Sequence, residues 1–279
     1  MNETSRAFQR DVDATAASAY DAFVSKGRMA AARREAAYRS APALRAYDLA
    51  FENVLREALA TPAPPDAPAV WMLYNMGLVV RTRKTLFAID VAHRRGAELA
   101  PHLDFALVTH NHDDHWTPAF YEAMDGAGKT VVSNFLDNYG AFRGGKARGG
   151  YAPGRRTLRI GDVTIRTSLA DHNGYLRNFT LAFEIAVGDW TLYHTGDSSN
   201  LAKLNPKRRP DLWVVHPRCG TDVAAGVRKF RPARTVIGHL CELGHTKWRW
   251  TLADGEEEAA RAEAAGSKAV VPLWGDRIQ

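Results

Sequence analysis

The chain has 279 residues, 46% of them hydrophobic and 24% charged, and Lys+Arg 37 against Asp+Glu 31 gives a net charge of +6. That length allows a sizeable core, and no run approaches the roughly 18 apolar residues of a membrane helix. Cys219 and Cys241 are the only cysteines, too few and too poorly spaced for a disulfide framework or a paired-thiolate zinc site, so both read as ordinary reduced thiols.

Residues 1–13 are charged with no apolar stretch behind them, so no secretory signal is readable and a cytoplasmic location is the expectation. Residues 1–60 are rich in Ala, Arg, Glu and Leu, which predicts a helical extension of two or three helices. Gly27 is a plausible break, and Ser40 followed by Pro42 marks a helix start. Leu44, Tyr47, Phe51, Val54, Leu55 and Ala58 then recur at helical spacing. This apolar face needs a partner: the domain that follows, an active site that it lids, or a second copy in a homodimer.

Residues 61–69 (TPAPPDAPA) hold four prolines and read as a semi-rigid linker. From residue 70 to 279 the texture is that of one domain. The runs VWMLYN, GLVVRT, TLFAID and FALVT predict strands, and two hairpins turn at Gly-Asp in TLRI-GD-VTIRTSLA and FTLAFEIAV-GD-WTLYHTG. DLWVVHP, TVIGHL and KAVVPL follow as buried strands, with helices after Thr221 and over 256–265. The Gly/Arg/Lys segment 140–156 reads as a surface loop.

The chemistry concentrates directly after FALVT, in Thr109-His110-Asn111-His112-Asp113-Asp114-His115. Three imidazoles and two carboxylates this close would oppose burial without counter-charge, whereas a divalent cation satisfies them together.

His-x-His-x-Asp-His at a strand end, here His110, His112, Asp114 and His115, resembles the metallo-β-lactamase superfamily, and the ordered match runs over residues 70–279. The resemblance implies an α/β fold, an αββα sandwich, here preceded by the helical extension. It also implies three later ligands: His172 in SLADH, Asp197 in YHTGD as the bridging carboxylate, and His239 in TVIGHL, with His245 as a rival for the last. His110, His112 and His172 would then hold one metal and Asp114, His115 and His239 the other. Two divalent ions are implied; zinc is the default, and manganese or iron suit the same all-N/O donors.

A metal-bridging hydroxide would be the nucleophile of such a site, attacking an ester, lactone or phosphodiester of a small-molecule substrate, which the basic charge suggests is anionic. Besides Asp114, His245 and His216 are the catalytic candidates; His245, His216 and Asp113 compete for the role of general acid, with His245 preferred. His194 and His216 read as substrate-facing, as ligand support, or as plain buried histidines. Asp90 is expected to brace the motif loop from behind and Asn75 to sit at the pocket rim, while His93 and His102 receive no role.

The segment between Asp197 and His239 is too short for the extra domain of the nuclease branch, and the segment after His239 too short for the helical substrate domain of the glyoxalase II branch. His112 stands where the flavodiiron branch has Glu. Ascorbate-phosphate lactonase and N-acyl-phosphatidylethanolamine phospholipase D are the most similar branch in texture. Two other functions stay open. One is a nucleic-acid phosphodiesterase that uses Arg143, Lys146, Arg148, Arg155 and Arg156; a Gly-rich loop with only Phe142 and Tyr151 interleaved is more often simply solvated. The other is a partner-binding protein with structural metals.

Overall fold

Three helices lead the chain: α1 (Glu3–Val24), α2 (Ala31–Ser40) and α3 (Pro42–Ala60). They are seen in a computed structural model that describes residues 3–24, 29–62, 64–65, 67–135, 156–172, 176–245 and 249–279. No helix among these residues is long and apolar enough to cross a membrane.

Two sheets follow. β1 (Ala69–Met72), β2 (Leu78–Arg81), β3 (Leu86–Ile89), β4 (Phe105–Leu107) and β5 (Thr130–Val132) lie side by side in chain order, antiparallel through β3 and parallel from β3 to β5. The second sheet holds β6 (Thr157–Ile160), β7 (Val163–His172), β8 (Leu176–Val187), β9 (Trp190–His194), β10 (Leu212–Val215), β11 (Arg234–Ile237) and β12 (Lys268–Val270), in the order β12-β11-β10-β9-β8-β7-β6. It is antiparallel from β6 to β9 and parallel from β9 to β12. Both hairpin turns fall at the expected Gly-Asp pairs, where Gly161 and Gly188 adopt φ +58°, a conformation that a Cβ would strain.

Alternation along the strands splits the apolar residues into three layers. Val70, Phe87, Ile89 and Leu107 meet Ile165, Leu181, Phe183 and Val214 between the sheets. Trp71, Val79 and Ala106 face outward against α3 and α4 (Pro118–Gly126). Tyr193, Trp213 and Ile237 face the opposite side, against α5 (Val223–Phe230), with Leu252 and Ala262 of α6 (Leu252–Ala264) in the same layer. Helices, sheet, sheet, helices is the expected αββα order.

Three boundaries differ from the sequence reading. β1 starts at Ala69, inside the proline-rich segment; β5 was not anticipated, because three residues are too few for a periodic signal. α6 starts before residue 256, at Leu252, since Thr251 and Asp254 form a reciprocal capping box.

The stripe on α3 is consumed within the chain. Leu44, Tyr47, Phe51, Val54 and Ala58 are buried against the rest of the chain, while Leu49 and Leu59 of the same helix are exposed. His93, given no role from sequence, explains part of this: its buried ring stacks on Tyr47 at 3.9 Å and on Phe51 at 4.3 Å. Trp71 Nε1 also donates to Glu57 Oε2 at 2.9 Å, pinning α3 to β1. α1 reaches further, its Gln9 Oε1 accepting from the backbone N–H of Leu252 at 2.8 Å.

Phe51→Ala should therefore cost about 3 to 5 kcal/mol of stability. Denaturant unfolding measures it, and a loss below about 1 kcal/mol would mean that α3 is a loosely docked appendage.

Candidate metal centre

The carboxyl ends of five strands deliver the polar residues. Asp90 follows β3, His110 follows β4 by way of Val108 and Thr109, His172 closes β7, Asp197 lies three residues past β9, and His239 lies two past β11. Asp90 braces the motif loop as expected: its carboxylate accepts from Thr109 N and Thr109 Oγ1, each at 2.8 Å, and from His115 Nδ1 at 2.8 Å. This fixes the ring so that Nε2 faces the cluster. Asp90 (φ +49°), Asn75 (φ +53°) and His239 (φ +61°) all hold left-handed backbone, the kind of strain found at functional sites.

The seven residues singled out by sequence converge. His115 Nε2 stands 3.3 Å from Asp197 Oδ1, and His239 Nε2 stands 3.0 Å from Asp114 Oδ2 and 3.4 Å from Asp197 Oδ2. His172 Nε2 lies 3.3 Å from His112 Nδ1 and 3.9 Å from Asp197 Oδ2, and His110 Nε2 lies 4.0 Å from the same oxygen. His110 Nε2, His115 Nε2 and Asp197 Oδ1 are nonetheless buried without a hydrogen bond among the described residues.

Donors bound to one cation at about 2.0 to 2.2 Å, with angles between tetrahedral and octahedral, sit about 2.9 to 3.5 Å apart while aiming at the ion rather than at each other. Much of the spacing here is of that kind. His110, His112 and His172 can hold a metal ion, as can Asp114, His115 and His239, each set with its ligand atoms within 4.8 Å of one another. The residues fit the metals implied by the sequence.

Protonation follows the same crowding. Burial alone would push His115 down, but Asp197, Asp114 and Asp90 hold it well above its ordinary value. Burial opposes the charge on Asp114 as well, yet His115 and His239 keep its carboxyl far below the usual range. His239 is raised despite burial, through Asp197 and Asp114. Burial, with further imidazoles nearby, holds His110 and His112 below their ordinary values and lowers His172 to about 4.

These residues open onto a cavity of about 480 Å³ whose lining includes His112, Asp114, His172, Asp197 and His239. His245 is at its wall, half exposed, with Nδ1 donating to the buried carboxylate of Glu242. That hydrogen bond, more than any other cause, raises His245 to about 9. Tyr74 Oη donates to Glu242 at 3.3 Å and accepts from Leu243 N at 2.8 Å. Glu242, only three residues before His245, was missed because nothing in the sequence marks its carboxylate as buried.

Two sequence expectations change, those for Asn75 and Asp113. Cys219 is a free thiol as expected, and its Sγ lies 2.8 Å from His172 Nδ1 and donates to Asp197 O at 2.9 Å, tying two donor residues together. Asn75 is not at the rim but buried, its Nδ2 donating to Asp114 Oδ2 at 3.0 Å. His194 takes one of its expected places, that of a buried hydrogen-bonded histidine, its Nε2 donating to Met76 O at 2.8 Å. Asp113 is exposed and outside the cavity lining. His216 does line it, 3.3 Å from Asp197. Arg143, Lys146, Arg148, Arg155, Phe142 and Tyr151 lie outside the described residues, and Arg156 lines a separate depression with Arg166 and Glu184.

No family model matches the chain. A UPF0173 metal-dependent hydrolase of Heliobacterium modesticaldum is 30% identical over 102 residues, which are 34% of this chain and 42% of that protein. The match thus spans well under half of the curated relative's length. Among solved structures, Igni18, a metallo hydrolase of the archaeon Ignicoccus hospitalis, superposes with a TM-score of 0.60 at 19% identity, covering 76% of this chain and 97% of that one. YhfI of Bacillus subtilis, a metallo-β-lactamase fold protein, gives 0.56 at 14% identity, covering 76% and 99%. The chain has the metallo-β-lactamase fold. Its cluster occupies strand ends of both sheets of that fold.

With His115 held well above its ordinary value, the metal-free centre holds a proton at neutral pH that a cation must displace, so zinc affinity should rise with pH through neutrality. Calorimetric titration in buffers of different ionisation enthalpy reads the protons released. A heat of binding independent of the buffer would contradict this.

Proposed function

We propose that the protein is a metal-dependent hydrolase of small molecules, with His110, His112 and His172 holding one divalent cation, Asp114, His115 and His239 a second, and Asp197 between them. The observation that carries this reading is the convergence of seven donors from distant segments, with buried ligand atoms of His110, His115, Asp197 and His239 lacking hydrogen bonds among the described residues. Cations bound there would bring the pKa of a shared water toward neutrality and stabilise charge on substrate oxygens. Esters, lactones and phosphodiesters are the substrate classes suited to that chemistry, since each develops negative charge on oxygen. Zinc is the expected metal for this set of imidazoles and carboxylates.

The chain's own residues supply the rest. Asp90 and Cys219 hold His115 and His172 in orientation from behind, and Asn75 does so for Asp114. His245, protonated near neutral pH through Glu242, stands in the same cavity and would give a proton to the leaving group. A purely structural metal site closes its coordination, whereas these donors border a cavity of about 480 Å³, which favours catalysis over a scaffolding role.

Purified protein, analysed for metal and assayed against ester, lactone and phosphodiester panels, should hydrolyse at least one class in a chelator-sensitive manner. Asp197→Ala should lose more than the roughly 10- to 100-fold that removal of an outer partner costs. No turnover on any class, or an Asp197→Ala enzyme at wild-type rate, would sink the reading.

His245→Gln should lower kcat by about 100-fold or more and remove the decline in rate as pH rises through about 9, where wild-type His245 loses its proton. An unchanged alkaline limb in the variant would remove His245 from the proposed role.

A further inference from the structure

We infer that His216 is an additional metal ligand of this centre, beside His239, so that six imidazoles rather than five surround the cations. The inference rests on the metal-dependent reading above and extends its donor set.

His216 follows β10 directly and is only 6% exposed. Its Nδ1 lies 3.3 Å from Asp197 Oδ2, the oxygen that His239 Nε2 approaches to 3.4 Å. The two rings lie nearly parallel, 3.9 Å apart at 7°. Neither ring nitrogen of His216 forms a hydrogen bond among the described residues.

Buried histidines elsewhere in this chain behave differently. His194 uses both nitrogens, on Met76 O at 2.8 Å and Gly196 N at 3.3 Å. His93 does the same with Tyr47 O and Arg95 N, each at 3.1 Å. A buried polar group without a partner is costly and uncommon, so two such nitrogens on one ring require an explanation. Within the cluster the pattern is shared: His110 and His115 each leave Nε2 without a hydrogen bond, and His239 leaves both nitrogens so. The 3.3 Å between Nδ1 and Asp197 Oδ2 falls in the range of about 2.9 to 3.5 Å expected for donors on a common cation. Asp197, His216 and His239 bring their ligand atoms within 4.8 Å of one another.

Because the rings of His216 and His239 are stacked in parallel planes, they serve different cations, and with His216 bound the centre as a whole becomes richer in nitrogen than a hard-cation site. Zinc then gains over magnesium and manganese there.

The test uses wild-type protein labelled with ¹⁵N-histidine and loaded with zinc, counting ring systems with a metal-shifted nitrogen in long-range ¹H–¹⁵N spectra. Six such rings are expected. Five would overturn the role of His216 while leaving the metal-dependent reading in place, and none would overturn both. His216→Gln loaded with cobalt(II) should bind its weaker equivalent about 10-fold or more less tightly and show an altered visible spectrum. Wild-type affinity with an unchanged spectrum would also overturn the role, and if the variant does not fold, the wild-type ring count decides.

Discussion

Asp197 is buried among the imidazoles of His110, His115, His172, His216 and His239, its oxygens 3.3 to 4.0 Å from a ring nitrogen of each. To this arrangement the rest of the molecule answers. Two carboxylates, Asp114 and Asp197, and several imidazoles have been taken out of water, which costs several kcal/mol per charged group unless something compensates. Among the described residues the hydrogen bonds that would usually compensate are missing at key atoms, and divalent cations, where bound, would supply a counter-charge that fits the donor spacing.

Strand polarity makes the convergence possible. β3, β4 and β5 are parallel, and so are β9, β10 and β11, with β7 antiparallel to β8 and therefore running with β9. Their carboxyl ends release Asp90, the motif loop, His172, Asp197, His216 and His239, and open sheets of this kind place ligands at that end. The apolar layers hold the strand ends in register, and the leading helices support the rim. Gln9 of α1 binds the start of α6, while Phe23 of α1 packs against Tyr47 and Tyr74, the latter bonded to the Glu242 that supports His245.

The motif from His110 to His115 was legible in the sequence because its signal is local, held in six positions after an apolar run, whereas His172, Asp197 and His239 were marked only by the order of residues that the family resemblance implies. Cys219, Glu242 and Asn75 carried no such mark. Glu242 sits three residues from His245 in a stretch with no periodic signal, whereas Cys219 and Asn75 act through neighbours far along the chain, 47 residues from Cys219 to His172 and 39 from Asn75 to Asp114, so only folding reveals them. His93 was unreadable for the same reason, its stacking partners lying on α3, more than 40 residues earlier. The three-residue β5 fell below the length at which alternation means anything.

Anomalous scattering from a zinc-soaked crystal, collected on both sides of the zinc edge, tests directly whether the buried donors share cations. The account predicts two peaks flanking the Asp197 carboxylate, each about 2.0 to 2.2 Å from the nitrogens and oxygens of its own donor set. A featureless map at Asp197, or zinc bound only at surface sites, would contradict it.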